Sequence, residues 1–114
     1  MYDVLINDYF RGYETGDRKL VDSLLSADFT FTSPHDDHID KGIYFQRCWE
    51  HHKKNPRFKL ERVFEKDNEA FIQYRCENNT GKIFRNTELF RFTDGKISAI
   101  EVYFGEIHFK QELF

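Results

Sequence analysis

The chain has 114 residues, a length suited to one domain, and 18% of it is aromatic, with 13 Phe, enough apolar area for a core of that size. Its 17 basic and 20 acidic residues are interspersed and leave a formal net charge of -3, which excludes the clustered basic surface that a nucleic-acid partner needs. No apolar run approaches the roughly 18 residues of a membrane-spanning helix, the start MYDVLINDYF lacks the basic flank of a secretory leader, and Cys48 and Cys76 lie apart in apolar patterns as buried reduced thiols do, so a cytoplasmic domain without a membrane partner is expected.

Residues 2–15 carry Leu5, Tyr9 and Tyr13 at i, i+4 spacing with Ile6 and Phe10 alongside, the stripe of an amphipathic helix that Gly16 ends. Asp17 is placed to cap a second, shorter helix with Leu20, Val21, Leu24 and Leu25 on its apolar side. Residues 28–33, DFTFTS, alternate strictly and predict a strand with Phe29 and Phe31 on one face, stopped by Pro34, which has no N–H to give the ladder. The HDDHID that follows reads as a polar loop. A third helix is predicted from Gly42 to Lys54, with Phe45, Cys48, Trp49 and His52 down one side, closed by Asn55-Pro56. Beyond it the pattern is β throughout. Strands are predicted over 57–66, with Phe58 and Leu60 on one face, and over 69–77, with Ala70, Ile72, Tyr74 and Cys76. The turn 78–81 leads into a strand over 82–92, and Thr93-Asp94-Gly95-Lys96 into another over 97–104. The tail keeps Ile107, Phe109, Leu113 and Phe114, apolar enough to pack. The order ααβαββββ sets helices against a curved antiparallel sheet, an α+β cone occupying residues 1–114 as a single domain. The tapering space between sheet and helix is a natural small-molecule site.

Within the strand over 82–92, Phe84, Asn86, Glu88, Phe90 and Phe92 share one face, and three phenylalanines direct that face inward. Glu88 is thereby held among aromatics, where lost hydration favours its neutral form and raises its pKa. Such a carboxyl serves either as a general acid and hydrogen-bond donor or as one half of a buried pair, with Tyr9 or His52 as the partner. Tyr74, Ile100, Val102 and Phe104 have the phase to line the same space. His35, Asp36, Asp37 and His38 follow the first strand at the expected rim, where His35, Asp36 or His38 could act as a base and where a metal site has too few fixed ligands to be expected. His51 and His52 are given no catalytic role.

The segments DYFRGYETGDRKLVDSLLSADFTFTSP, then KG at the third helix, then TELFRFTDGKISAIEVYFG resemble the nuclear transport factor 2-like superfamily, in its SnoaL-like and steroid-isomerase-like branch, from about Leu5 to Gly105. The resemblance implies the cone fold and, across its members, isomerases, cyclases, dehydratases, hydrolases and non-enzymes. It places Tyr9 at the oxyanion-hole tyrosine of the ketosteroid isomerases and Glu88 at the protonated carboxylic acid beside it, the pair that also serves as a general illustration of a carboxyl kept neutral. It places Trp49 on the pocket wall. The general-base aspartate falls at Ser33, whose hydroxyl is too weakly basic to take a carbon-bound proton, so steroid isomerisation is not expected.

Two functions remain open on these residues. One is a cofactor-independent acid/base enzyme acting on a small apolar or aromatic compound, with Tyr9 and Glu88 donating to an oxyanion, His35, Asp36 or His38 as base, and Ser33, Trp49, Tyr74, Asn86, Phe90, Ile100, Val102 and Phe104 as the pocket. The other is a non-catalytic ligand-binding or dimerisation module. A homodimer is expected through the outer sheet face, where Ile97, Ala99, Glu101 and Tyr103 would join Leu89 and Ile83, rimmed by Arg85 and Arg91.

Overall fold

The structure, a computed structural model, describes residues 1–49, 56–78 and 81–109. Helix α1 (Asp3–Thr15) ends where Gly16 turns left-handed at φ 71° and its N–H reaches the Gly12 and Tyr13 carbonyls. Asp17 then caps α2 (Arg18–Leu24) by accepting the Leu20 N–H at 3.1 Å. Six strands follow: β1 (Leu25–Ser33), β2 (Asp36–Asp40), β3 (Arg57–Lys66), β4 (Glu69–Glu77), β5 (Lys82–Thr93) and β6 (Lys96–Phe109). They form one curved, unclosed sheet of order β2-β1-β6-β5-β4-β3, antiparallel except where β1 runs parallel to β6. A single helical turn, α3 (Lys41–Tyr44), capped by Asp40, opens after β2 and widens into a π turn over Phe45–Trp49.

The architecture is the expected α+β cone, with the order ααββαββββ in place of ααβαββββ. The difference is β2, which the sequence presents as a polar loop. An edge strand wetted on both sides needs no alternation, and Ile39 is its one apolar residue. His38 adopts a positive φ of 50°, and the register slips between Phe31 and Ser33, so a bulge also erases the period-two signal. Strand β1 begins earlier than expected, because Leu25 leaves the helix to pair with Ile97. The remainder of the predicted third helix, with His51 and His52, lies outside the described residues, as do Leu113 and Phe114.

The core lies between α1 and the concave face of the sheet. Ile6, Tyr9, Phe10 and Tyr13 of α1 pack on Phe90, Phe92, Ile72 and Tyr74, with Tyr9 meeting the Phe90 ring edge-on at 5.2 Å. Helices α1 and α2 can cross this closely only over Gly12, where a Cβ would stand 2.5 Å from Val21 Cγ2.

The outer face differs from expectation through a second bulge. Arg91 pairs with Ala99 but Phe92 with Ile97, so the phase of β6 flips at Ser98 and Ile97 turns into the core, fully buried. Ser98 instead bonds the Arg91 carbonyl and Thr93. Leu89 and Ile83 do lie outside the core cluster, yet both are buried within the chain. Exposed apolar area on this face comes from Phe64, Phe71 and Tyr103, with Phe64 paired to Phe71 and Phe71 to Leu89. The expected charged rim is spent internally, Arg91 on Glu69 and Glu101 and Arg85 on Glu61.

Candidate functional site

A cavity of about 350 Å³ opens between α1 and the sheet. Helix α1 contributes Tyr9, Phe10 and Tyr13, and the α3 turn and its π extension contribute Tyr44 and Cys48. The sheet contributes Phe31, Phe58, Tyr74, Cys76, Phe84 and Val102, together with Lys82, Asn86 and Glu88, while Pro56 and Asn78 close the wall. The lining is thus mainly aromatic with a few convergent polar groups, the usual character of a small-molecule pocket.

Strand alternation places Lys82, Phe84, Asn86 and Glu88 on one side of β5, which carries the carboxyl into the aromatic interior, 5% exposed. One directed chain of hydrogen bonds fixes it. The Gly105 N–H donates to Asn86 Oδ1 at 3.2 Å, Asn86 Nδ2 donates to the Tyr74 hydroxyl at 3.2 Å, and that hydroxyl donates to Glu88 Oε2 at 2.5 Å. The chain depends on a glycine: a Cβ on Gly105 would stand 2.1 Å from the Arg85 carbonyl oxygen, at a register slip between Phe84 and Asn86. The other carboxyl oxygen, Glu88 Oε1, is buried and has no hydrogen-bond partner among the described residues. An orphaned buried carboxyl oxygen costs about 1–3 kcal/mol or more, so its presence beside a cavity calls for a reason. Burial pushes the Glu88 carboxyl up to about 7, against the opposing pull of the Tyr74 bond.

A second polar chain lies across the cavity. The Tyr44 hydroxyl meets those of Tyr9, at 2.5 Å, and Tyr13. Burial raises the pKa of all three, and of Tyr74, so they act as neutral phenols. The same burial pushes the Cys48 and Cys76 thiols to about 12, which removes them as nucleophiles at neutral pH. Among the described residues no cluster of His, Cys, Asp and Glu is arranged to hold a metal.

Of the residues singled out in the sequence, the structure brings Tyr9, Glu88, Tyr74, Asn86 and Val102 together around the cavity. Tyr9 and Glu88 do not bond each other; their hydroxyl and carboxyl partners are Tyr44 and Tyr74. Phe90 and Ile100 are fully buried in the core behind the wall. Trp49 packs on the back of Tyr13, ring to ring at 4.7 Å. Phe104 is 55% exposed and lies beside His35, 5.8 Å between rings.

The proposed bases sit on the β1–β2 hairpin, away from the lining. Ser33 donates to Asp36 at 2.9 Å and accepts the His35 N–H, and Asp36 is clamped by Arg47 at 2.5 Å. Asp36 is therefore the anchor of the turn, with both carboxylate oxygens engaged. His38 pairs with Asp37 in the open, its side chain 67% exposed. Sequence reasoning missed Tyr44, Tyr13 and Lys82 as site residues. The i, i+4 relation of Tyr44 to Cys48 was the available signal for the first, and the shared phase with Glu88 for the last.

A curved sheet wrapped on a helix around a pocket is the class of fold seen in the NTF2-like proteins. A family model for SnoaL-like domains matches residues 6–100, and the chain belongs to that family. An NTF2-like protein of unknown function from Cytophaga hutchinsonii is similar in structure at a TM-score of 0.77 and 20% identity, covering 91% of this chain and 89% of that one. A ketosteroid-isomerase-like protein from Kribbella flavida has a TM-score of 0.77 at 14% identity, over 92% and 78% of the two chains. An LEH-like epoxide hydrolase from M. tuberculosis has 0.72 at 14%, over 89% and 80%. At such identities the likeness concerns the fold. No curated protein matches the chain.

Proposed function

We propose that this SnoaL-like domain binds a small apolar or aromatic compound bearing a carbonyl, hydroxyl or epoxide oxygen and acts on it as a cofactor-independent acid/base enzyme, with Glu88 as the group that gives and takes the proton. The observation that carries this is Glu88 Oε1, buried, without a partner among the described residues and next to an aromatic cavity. Tyr74 occupies Oε2, so a proton on the carboxyl resides on Oε1 and points to a ligand. With a pKa of about 7, both protonation states are populated at neutral pH, the condition under which one carboxyl serves efficiently as acid and as base. The Tyr9 hydroxyl, bonded to that of Tyr44, can then support the ligand oxygen while ionised Glu88 takes an α-proton through Oε1 and returns it to the same carbon. The relatives support the reading as a class, since fold neighbours include an epoxide hydrolase and a ketosteroid-isomerase-like protein.

Proton exchange at carbon tests it. Small aromatic ketones incubated with the protein in deuterium oxide are expected to lose their α-proton NMR signals, and Glu88→Gln to stop the loss. A second reading, a binding module without catalysis, draws on the lining itself, where every phenol and thiol is held neutral. Ketones that bind without exchange would establish that module and overturn the enzyme.

A further inference from the structure

The inward face of β5 ends, at the β4–β5 turn, in a cation. Lys82 is half-buried, lines the cavity six residues before Glu88, and has no ion-pair partner among the described residues. Arg57, Arg85 and Arg91 of the sheet pair with Glu77, Glu61 and Glu69, and none of these three lines the cavity. The turn is built to hold its position. Buried Asn78 accepts the Lys82 N–H on its side-chain oxygen at 3.1 Å, and its own N–H donates to the Lys82 carbonyl at 3.0 Å. Among the described residues, Lys82 is the one cationic side chain on the cavity wall.

A strand rises about 3.3 Å per residue, so the Lys82 and Glu88 Cα atoms stand about 20 Å apart, with both side chains on the cavity side of β5. Between them β5 contributes Phe84 and Asn86, the amide committed to Gly105 and Tyr74, and Phe58 and Phe10 add to the aromatic lining. A cation at one end, an orphaned carboxyl oxygen at the other and aromatics between describe a polar–apolar–polar ligand with a fixed direction. The anion of such a ligand is placed far from Glu88, where like charge would repel it, and next to Lys82, which has no ion-pair partner among the described residues.

We propose that the cavity selects an apolar carboxylate: an aromatic or acyl body whose carboxylate meets Lys82 and whose carbonyl or hydroxyl oxygen meets Glu88 Oε1. This rests on the reading of Glu88 as the ligand-facing group, and the two ends are read separately. The probes are a series of ω-benzoylalkanoates from benzoylpropionate to benzoylheptanoate, their methyl esters, and the deoxy analogues in which the ketone is a methylene. Affinity is measured by calorimetry on the full chain, with thermal unfolding as the check that each variant is folded.

The acid is expected to bind about five- to tenfold tighter than its ester, as for a charge-assisted hydrogen bond at a half-buried site. Lys82→Met removes that preference and leaves ester affinity unchanged, whereas Glu88→Leu keeps it and removes the preference for ketone over methylene. Equal affinity of acid and ester in the wild type, or a preference that survives Lys82→Met, overturns the proposal, and a ketone preference in the same data leaves the Glu88 reading standing. Loss of the ketone preference in the wild type overturns the Glu88 reading instead. Absence of binding by acids and esters alike overturns both.

Discussion

The buried carboxyl should make stability depend on pH in a direction opposite to that of an ordinary salt-bridged glutamate. Glu88 titrates at about 7 in the folded chain against an ordinary value of 4.5. Below pH 4.5 both states hold the proton and the group costs the fold nothing electrostatic. Between 4.5 and 7 the unfolded chain releases its proton while the folded chain keeps it, so the unfolded state binds fewer protons and stability falls as pH rises. Above 7 both are ionised and the penalty is constant. At about 1.4 kcal/mol per pH unit the full penalty is about 3 kcal/mol. Burial is essentially complete, so solvent screening does not reduce it. Glu88→Gln keeps the volume, accepts the Tyr74 proton on its carbonyl and cannot ionise. Urea unfolding of both proteins from pH 4 to 8 gives the test, because every other ionisable group is common to the two proteins and the difference isolates position 88. The stability of the Glu88→Gln variant minus that of the wild type is expected to grow by about 3 kcal/mol between pH 4.5 and 7 and then level. A difference that is flat with pH, or a Glu88 carboxyl that titrates by NMR at or below 4.5, would refute the reasoning.

Other perturbations address the supports of the site and the assembly. Tyr44→Phe leaves the Tyr9 and Tyr13 hydroxyls without their shared partner and is expected to cost about 1–3 kcal/mol by urea unfolding, with little loss meaning that water replaces the bond. Gly105→Ala forces β6 away from the Arg85 carbonyl and so loosens Asn86 and Tyr74, which should both destabilise the fold and move the Glu88 titration, while an unmoved titration would show that the chain of bonds does not hold the carboxyl. Pairing of two copies through the outer face is the expected assembly, on the exposed rings of Phe64, Phe71 and Tyr103. Sedimentation should give a dimer for the wild type and a monomer for Phe71→Glu, and a monomeric wild type at micromolar concentration would move the interface elsewhere or remove it.

Much of the fold was legible because its signals are local. The stripe on α1, Gly16 and Asp17 at the helix junction, and the alternation of β4 and β5 are each written in neighbouring residues. What escaped reading involves departures from period two. The bulge at Ser98 turned Ile97 inward and removed it from the supposed outer patch, and the positive φ of His38 hid β2 inside a run of charges. The inward Glu88 was legible for the same reason as β5 itself. Its partner was not, since cross-strand register sets Tyr74 opposite Asn86 and Ile72 opposite Glu88, a pairing that depends on where the hairpin turns. The hairpin residues Ser33, His35, Asp36 and His38 looked chemical because they are polar and titratable, yet Ser33 and Asp36 serve as turn anchors.

The proposed reaction needs no second base because the two polar chains of the site differ in kind. The chain through Gly105, Asn86 and Tyr74 is directed: a backbone N–H fixes the amide, the amide fixes the phenol, and the phenol spends its proton on Oε2. Nothing in it can reverse without orphaning a donor, so the proton of Glu88 is confined to Oε1. The tyrosine trio is less constrained, since each hydroxyl both donates and accepts and the Tyr44 hydroxyl meets those of Tyr9 and Tyr13. A ligand oxygen that gains negative charge draws the trio toward itself, and one that loses a proton to Glu88 lets it relax the other way. In the proposed reaction a rigidly held carboxyl facing a reorientable donor would supply both halves of a proton transfer, which is why Ser33 in place of a carboxylate does not by itself argue against that proposal.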